Sequence, residues 1–182
     1  MKIGFCGAGG TGKSSLAPEL AKRMDLPLIK SPSRAMFKKH KIETEDAQNE
    51  MSSQDRWALQ LDIFKAIDEQ YKTEKEGVFE RTHLDNFFYA LHQCYEIMDK
   101  NDVKFFARTT HLGLASLDYI IHTPLYDWGD ISDGMRTASY ASRTLADAFI
   151  RNFLNEHQFR YYVTADEPVP LRLERLYGYF HV

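Results

Sequence analysis

The sequence predicts an α/β fold in which helices cover both faces of a parallel sheet. Five short apolar runs are too short for free-standing helices and are typical of buried strands. They occupy residues 3–6, 26–29, 77–79, 119–121 and 159–163. Longer segments separate them, as crossovers between parallel strands require. Since 182 residues suit one core and no linker or repeat divides them, we expect residues 1–182 to form a single domain.

Three of the longer segments place apolar side chains every three or four residues, which puts each set on one face of a helix. The first face comprises Trp57, Leu61, Phe64, Ile67 and Tyr71. The second comprises Leu84, Phe88, Leu91 and Tyr95. The third comprises Ala141, Leu145, Ala148, Phe149 and Phe153. We expect each face to pack against the sheet.

Composition narrows the function classes. A hydrophobic content of 43% excludes disorder for most of the chain. A net charge of −3 provides no overall basic field for nucleic acid or an anionic membrane. Two cysteines cannot form a disulfide framework, and no Cys or His spacing indicates zinc. Because no apolar stretch is long enough for a membrane span or a signal peptide, the sequence predicts a cytoplasmic protein without a membrane partner.

A glycine-rich loop follows the first strand and precedes a helical segment. Residues 7–14 fit the phosphate-loop pattern G-x-x-x-x-G-K-[ST], whose backbone N–H groups converge on phosphate oxygens. We expect Lys13 to reach the β- and γ-phosphates of ATP and the Ser14 hydroxyl to bind Mg²⁺. The expected nucleotide-binding residues are Gly7, Ala8, Gly9, Gly10, Thr11, Gly12, Lys13, Ser14, Ser15 and, further along the chain, Arg143. The alternative is a glycine turn that binds no ligand.

An acid and an arginine follow the third strand, at the same sheet edge. Glu80 would hold Mg²⁺ or accept the proton of an attacking hydroxyl. Arg81 would bind a phosphate or position Glu80. The alternative is a solvated ion pair.

The segment after the fourth strand, residues 124–137, is predicted to be a lid. It contains Tyr126 and Trp128, which would exclude water, and it ends in Asp-Gly-Met-Arg at residues 133–136. Either Arg136 or Arg143 would stabilise charge on the transferring phosphoryl group. The alternative is an ordinary loop.

Two further segments are acceptor-site candidates. After the second strand, Arg34 begins a basic stretch that extends to Lys41 and would bind a substrate phosphate or a nucleic-acid backbone, unless it is a solvated helix face. Phe87, Phe88 and Tyr89 suit the core, with room for one of them to face the crevice.

Together these motifs resemble the small P-loop kinases of nucleosides and nucleotides. The resemblance rests on the phosphate loop, on Glu80-Arg81 with Asp85 and Tyr89 following, on residues 133–136, and on Asp-Glu-Pro at 166–168. It implies a five-stranded parallel sheet, a lid, and ATP with Mg²⁺ as phosphoryl donor. The acceptor-site candidates are then Arg34, Asp85, Phe88 and Tyr89.

The subgroup signals differ. Glu-Arg-Thr at residues 80–82 looks like the Glu-Arg-Ser of deoxynucleoside kinases, whereas Asp-Gly-x-Arg at 133–136 looks like ribosylnicotinamide kinases. Ser33-Arg34 stands where thymidylate kinases carry Arg-Glu-Pro. Such mixed members are similar to bacteriophage kinases that phosphorylate 5-hydroxymethyluracil in DNA, which would place the protein in the host cytoplasm.

The leading hypothesis is a Mg²⁺-ATP-dependent kinase acting on a hydroxyl of a pyrimidine deoxynucleotide, with 5-hydroxymethyluracil in DNA as the preferred acceptor. The first alternative is a kinase of free nucleosides or nucleotides, including deoxynucleosides, dTMP or ribosylnicotinamide. The second is a P-loop switch or scaffold that hydrolyses nucleotide to control a partner. The sequence does not decide between a monomer and a homodimer.

Overall fold

Five parallel strands form one sheet, as the sequence predicts. The structure is a computed structural model that describes residues 1–43, 50–126 and 139–180. The strands are β1 (Lys2–Cys6), β2 (Leu28–Ile29), β3 (Gly77–Phe79), β4 (Tyr119–His122) and β5 (Tyr162–Val163). Their order is β2-β3-β1-β4-β5, and every neighbouring pair is parallel. The carboxyl ends of β1, β3 and β4 therefore lie side by side at the centre of one sheet edge.

Seven helices are found within the described residues. They are α1 (Lys13–Arg23), α2 (Ser33–Lys39), α3 (Ser53–Thr73), α4 (His83–Cys94), α5 (Lys100–Ala115), α6 (Tyr140–Glu156) and α7 (Val169–Phe180). The predicted apolar faces belong to α3, α4 and α6, while α5 and α7 carry none of the periodic sets. None of these helices is long and apolar enough to cross a bilayer.

The core lies on both faces of the sheet because successive strand residues point to opposite sides. Ile3 and Phe5 of β1 pack with α1 and α7, whereas Cys6 packs with α3, α4, α5 and α6. Ile121 and Ile120 of β4 divide in the same way. Helices thus cover both faces, which confirms the predicted α/β class.

Two strands are shorter than predicted because the start of each apolar run ends a helix. The amide of Leu26 donates to the carbonyl of Ala21, and the amide of Phe159 donates to that of Leu154. The residues before them, Asp25 and Gln158, have left-handed φ angles of 52° and 56°. This hydrogen bonding is typical of helix C-terminal caps, so these amides are not available to a strand.

The buried face of α6 differs from the predicted one. Leu145 is 56% exposed, whereas the buried side chains of α6 are Arg143, Ala146, Asp147, Ile150, Phe153 and Leu154. The apolar spacing missed this rotation because two charged residues belong to the buried face. In α4, Tyr95 is 70% exposed because the helix ends at Cys94.

Candidate active site

The glycine-rich loop has the predicted context, between β1 and α1. Gly10 and Gly12 have positive φ angles of 72° and 89°, and the left-handed Gly12 caps the first turn of α1. A Cβ atom on Gly7 would clash with the carbonyl oxygen of Thr123. Glycine is therefore required at these positions for the loop to curve over the helix N-terminus.

Lys13 lies inside the loop rather than in solvent. Its side chain is 4% exposed, and Nζ donates to the carbonyls of Gly7 and Ala8 at 2.5 and 2.6 Å. The Asp85 carboxylate lies 3.7 Å from Nζ and partly neutralises it. This places a buried cation where a phosphate would sit against the loop.

Asp85 occupies a different position from the acceptor contact expected from the sequence. It is 1% exposed, and one carboxylate oxygen accepts from the Gly7 amide at 3.2 Å. The other oxygen accepts from the amide and the hydroxyl of Thr82. Asp85 is the third residue of α4, so it forms a capping box with Thr82 and ties that helix to the phosphate loop.

Ser14 and Glu80, the two candidate Mg²⁺ ligands, are in direct contact. The Ser14 hydroxyl donates to Oε1 of Glu80, and the amide of Ser31 donates to Oε2 at 3.1 Å. A hydroxyl and a carboxylate beside phosphate oxygens form the all-oxygen donor set that suits Mg²⁺. Within the described ranges no group of three or more His, Cys, Asp or Glu side chains could hold a metal, and Mg²⁺ shared with phosphates does not need one.

A cleft lies beside the phosphate loop and is bounded by α2, α3, α4 and α6. It contains about 760 Å³ of space that no atom fills, including space open to solvent. Residues that line it include Gly9, Ser33, Phe37, Gln60, Ile63, Ile67, Arg81, Asn86, Tyr89, His92, Gln93, Ser142 and Arg143. The phosphate loop and the cleft thus share a boundary at Gly9.

Two arginines lie between the loop and the cleft. The Nε atom of Arg143 donates to the carbonyl of Gly9 at 3.0 Å. The guanidinium of Arg81 lies 5.9 Å from the ring centroid of Tyr89. Burial lowers the pKa of Arg81, but the nearby Tyr89, Asp85 and Glu80 outweigh it, so this pKa lies above its ordinary value. Arg81 therefore stays positively charged in the wall of the cleft.

Three amide side chains form a hydrogen-bonded chain in the wall of the cleft. Asn86 Nδ2 donates to Gln60 Oε1 at 2.5 Å, and Gln60 Nε2 donates to Gln93 Oε1 at 2.7 Å. The Oδ1 atom of Asn86 is buried without a hydrogen-bond partner. No sequence motif points to these residues, although Gln60 is a polar residue on the apolar face of α3, between Trp57 and Phe64.

The other predicted acceptor residues separate. Tyr89 lines the cleft, but Phe88 is buried against Phe149 and Ala146 and belongs to the core. Arg34 is exposed on α2 and does not line the cleft, whereas its neighbour Ser33 does.

Most of the predicted lid, residues 127–138 with Trp128 and Arg136, lies outside the residues that the structure describes. Of its aromatic residues, Tyr126 is described, and its hydroxyl donates to the carbonyl of Thr164.

Among solved structures, the fold is similar to those of small kinases. Deoxyadenosine kinase from M. mycoides, solved with the products dCMP and dCDP, has a TM-score of 0.71 at 17% identity, covering 100% of this chain and 98% of that one. Thymidylate kinase from Candida albicans has a TM-score of 0.64 at 15% identity, with 98% and 90% covered. NadR in complex with NR has a TM-score of 0.65 at 16% identity, with 99% of this chain and 50% of that one covered.

At the sequence level, no curated protein matches the chain significantly. A family model described as an AAA domain, AAA_28, matches residues 2–172. The chain therefore belongs to this AAA domain family. Its fold is that of the small P-loop nucleoside and nucleotide kinases.

Proposed function

We propose that the protein is a Mg²⁺-ATP-dependent kinase that phosphorylates a hydroxyl of a nucleoside or nucleotide bound in the cleft. The observation that carries this proposal is that the cleft begins at Gly9 of the phosphate loop and is lined by Arg81, the residue next to Glu80, whose carboxylate accepts from Ser14. A switch needs the loop alone, whereas a kinase also needs an acceptor pocket beside it.

Each side chain has a role that follows from its position. Lys13 and the loop amides would hold the phosphates, while Ser14 and Glu80 would hold Mg²⁺. Held by Ser14 and Glu80, Mg²⁺ would supply positive charge against the charge that develops on the phosphates during transfer. Glu80 would also accept the proton of the acceptor hydroxyl, which Arg81 orients. Arg143 would stabilise the transferring group from the Gly9 side, and Arg136 remains the lid candidate.

The cleft wall suits a nucleobase. Phe37, Ile63 and Tyr89 provide apolar surface, and the amides of Gln60 and Asn86 provide donors and acceptors like those of a base edge. The unpaired Oδ1 of Asn86 would accept a hydrogen bond from a ring N–H or an amino group. The deoxyadenosine kinase structure with bound dCMP supports an acceptor of this kind.

A second candidate acceptor is 5-hydroxymethyluracil in DNA, and α2 is the observation that favours it. One side of this helix contributes Ser33 and Phe37 to the cleft, while Arg34 and Lys38 are exposed. A strand whose base entered the cleft would pass these cations. Since phosphate contacts are screened by salt, phosphorylation of DNA should weaken steeply with added salt and that of free nucleosides only slightly.

The test is phosphorylation with γ-labelled ATP and Mg²⁺ of two acceptor pools: duplex DNA containing 5-hydroxymethyluracil, and free nucleosides with their monophosphates. Label in the free pool supports the nucleoside or nucleotide kinase. Label on DNA that disappears with thymine in place of the modified base supports the second candidate. Label released only as phosphate, whichever acceptor is present, contradicts the kinase and supports the switch.

The matched variants lie on one helix. Lys13→Ala should lower turnover at least about 100-fold because it removes a charge contact to the transferring phosphates. Lys22→Ala, an exposed position on α1, should retain turnover. Equal activity of the two variants would remove the phosphate loop from the mechanism.

A further inference from the structure

A buried arginine of the last helix contacts the phosphate loop from behind. Arg172 of α7 is 1% exposed, and its Nη1 donates to the carbonyl oxygen of Thr11 at 3.3 Å. The guanidinium carbon lies 5.1 Å from the ring centroid of Tyr126, in the segment that follows β4. Three distant parts of the chain therefore meet at one cation.

Docking of α7 does not account for this arginine. Leu176, one turn further along, is fully buried in the cluster that contains Leu16 and Leu20 of α1, and this apolar contact docks the helix. A buried cation is costly in comparison. Burial lowers the pKa of Arg172, which Tyr126 and the carboxylates of Asp166 and Glu167 only partly offset. Such a cost indicates a role at the loop itself.

Peptide geometry shows what that role is. In a trans peptide the carbonyl and the following N–H point in opposite directions. Because the carbonyl of Thr11 faces Arg172, the N–H of Gly12 faces away from α7. Gly12 caps α1 at the phosphate loop, where such N–H groups converge on phosphate oxygens. The Thr11 hydroxyl lies 2.8 Å from that of Thr123, just after β4, and this contact fixes the same residue.

We propose that Arg172 is a positioning residue that orients the Thr11–Gly12 peptide so that the Gly12 N–H binds a phosphate of the nucleoside triphosphate. The proposal rests on the proposed function, because it requires that the loop bind polyphosphate. Arg172 also makes the Gly12 N–H a stronger donor, since a cation at the carbonyl polarises the peptide. Arg172 itself does not touch the ligand.

The test measures binding of two probes, Mg²⁺-ATP and Mg²⁺-tripolyphosphate, by calorimetry. Tripolyphosphate reports on the phosphate loop alone because it has no nucleoside. Arg172→Met should raise the Kd of both probes about tenfold or more, the usual effect of a lost charge-assisted hydrogen bond. Arg172→Lys should recover part of the affinity. Arg175→Met, an exposed arginine one turn away on α7, is the control and should match the parent.

Each outcome decides between the two proposals. A parent protein that binds neither probe contradicts the proposed function. A parent that binds both probes, with unchanged Kd values for Arg172→Met, overturns only the role of Arg172. Loss of ATP affinity without loss of tripolyphosphate affinity also overturns it, because the defect then lies outside the loop.

Should Arg172→Met fail to fold, Arg172→Lys decides, with the Gly12 amide resonance as the second readout. A shifted resonance together with weaker binding of both probes supports the proposal. An unshifted resonance with unchanged Kd values overturns it.

Discussion

His83 is a buried histidine that stays neutral in the folded protein. Its ring lies edge-on to those of Phe64 and Tyr71, at centroid distances of 5.0 and 4.7 Å. Burial lowers its pKa to about 4, although the nearby Asp68 carboxylate opposes this shift. His83 therefore binds a proton more weakly in the folded protein than in the unfolded chain, where its pKa is close to the ordinary value of about 6.5.

The first prediction is that acid destabilises the protein through His83. Between the unfolded pKa and the folded pKa of about 4, the unfolded state binds more protons, so the free energy of unfolding falls as the pH falls. From about pH 7.5 to about pH 5 this one group should cost about 2 kcal/mol. Urea unfolding at both pH values should show a smaller loss for His83→Gln, which does not titrate. Equal losses would show that His83 is not responsible.

The second prediction concerns Asn86, whose buried Oδ1 faces no partner. Asn86→Leu should raise the acceptor KM about tenfold through the lost hydrogen bond and leave the KM for Mg²⁺-ATP unchanged. Gln70→Leu, on the part of α3 that contacts the Lys30 carbonyl, is the control and should change neither constant. If Asn86→Leu raised the KM values for the acceptor and for Mg²⁺-ATP equally, its effect would come from a disturbed fold rather than from lost acceptor binding.

Site residues differ in how far the sequence predicts them. The phosphate loop is contiguous, so its pattern and its strand and helix context can be read locally. The hydrogen bond between Gln60 of α3 and Gln93 of α4 joins residues 33 positions apart, so no local sequence pattern predicts it. The resemblance implies that Asp85 contacts the acceptor, but as the third residue of α4 its carboxylate turns toward the phosphate loop instead.

At the scale of elements, α4 and α5 pack closely through one glycine. A Cβ atom on Gly113 of α5 would clash with the His83 ring at the start of α4. Gly178 of α7 is different because nothing lies within 4 Å of an added Cβ. A substitution of Gly113 by alanine therefore tests packing and helix propensity together, whereas one of Gly178 tests helix propensity alone.

The third prediction uses this pair. Gly113→Ala should lower the free energy of unfolding by about 1 to 3 kcal/mol because overpacking outweighs the better helix propensity of alanine. Gly178→Ala should raise it by about 0.5 to 1 kcal/mol through propensity alone. Urea unfolding measures both. Stabilisation of Gly113→Ala to the same extent would show that α5 is not packed against His83.

Element positions follow from periodicity more reliably than element faces. The runs at 26–29 and 159–163 predicted strands, yet Leu26 and Phe159 donate to helix carbonyls, a choice set by the left-handed residues before them. On α6, Arg143 and Asp147 are buried by contacts with the Gly9 carbonyl and the His122 ring. Apolar spacing has no means of predicting a buried charge whose partner lies on another element.

At the scale of the whole molecule, topology explains why the site forms. The order β2-β3-β1-β4-β5 places β1 between β3 and β4, so the loop after β1 meets Glu80 after β3 and Thr123 after β4. A parallel sheet predicts such a meeting at its carboxyl edge. The cleft is different because it depends on how α2, α3, α4 and α6 lean together, which a list of strands and helices does not determine.

The fourth prediction follows from this convergence. A ligand that binds only the folded state stabilises it, by about 2.7 kcal/mol at 100 times its Kd. For a chain of this size that corresponds to a rise in Tm of about 5 to 10 °C with saturating Mg²⁺-ATP. The rise should be lost in Lys13→Ala, because Lys13 lies at the centre of the loop, and reduced when EDTA removes Mg²⁺. Thermal unfolding with and without nucleotide measures it, and an equal rise in the parent and in Lys13→Ala would mean that the nucleotide binds elsewhere than the phosphate loop.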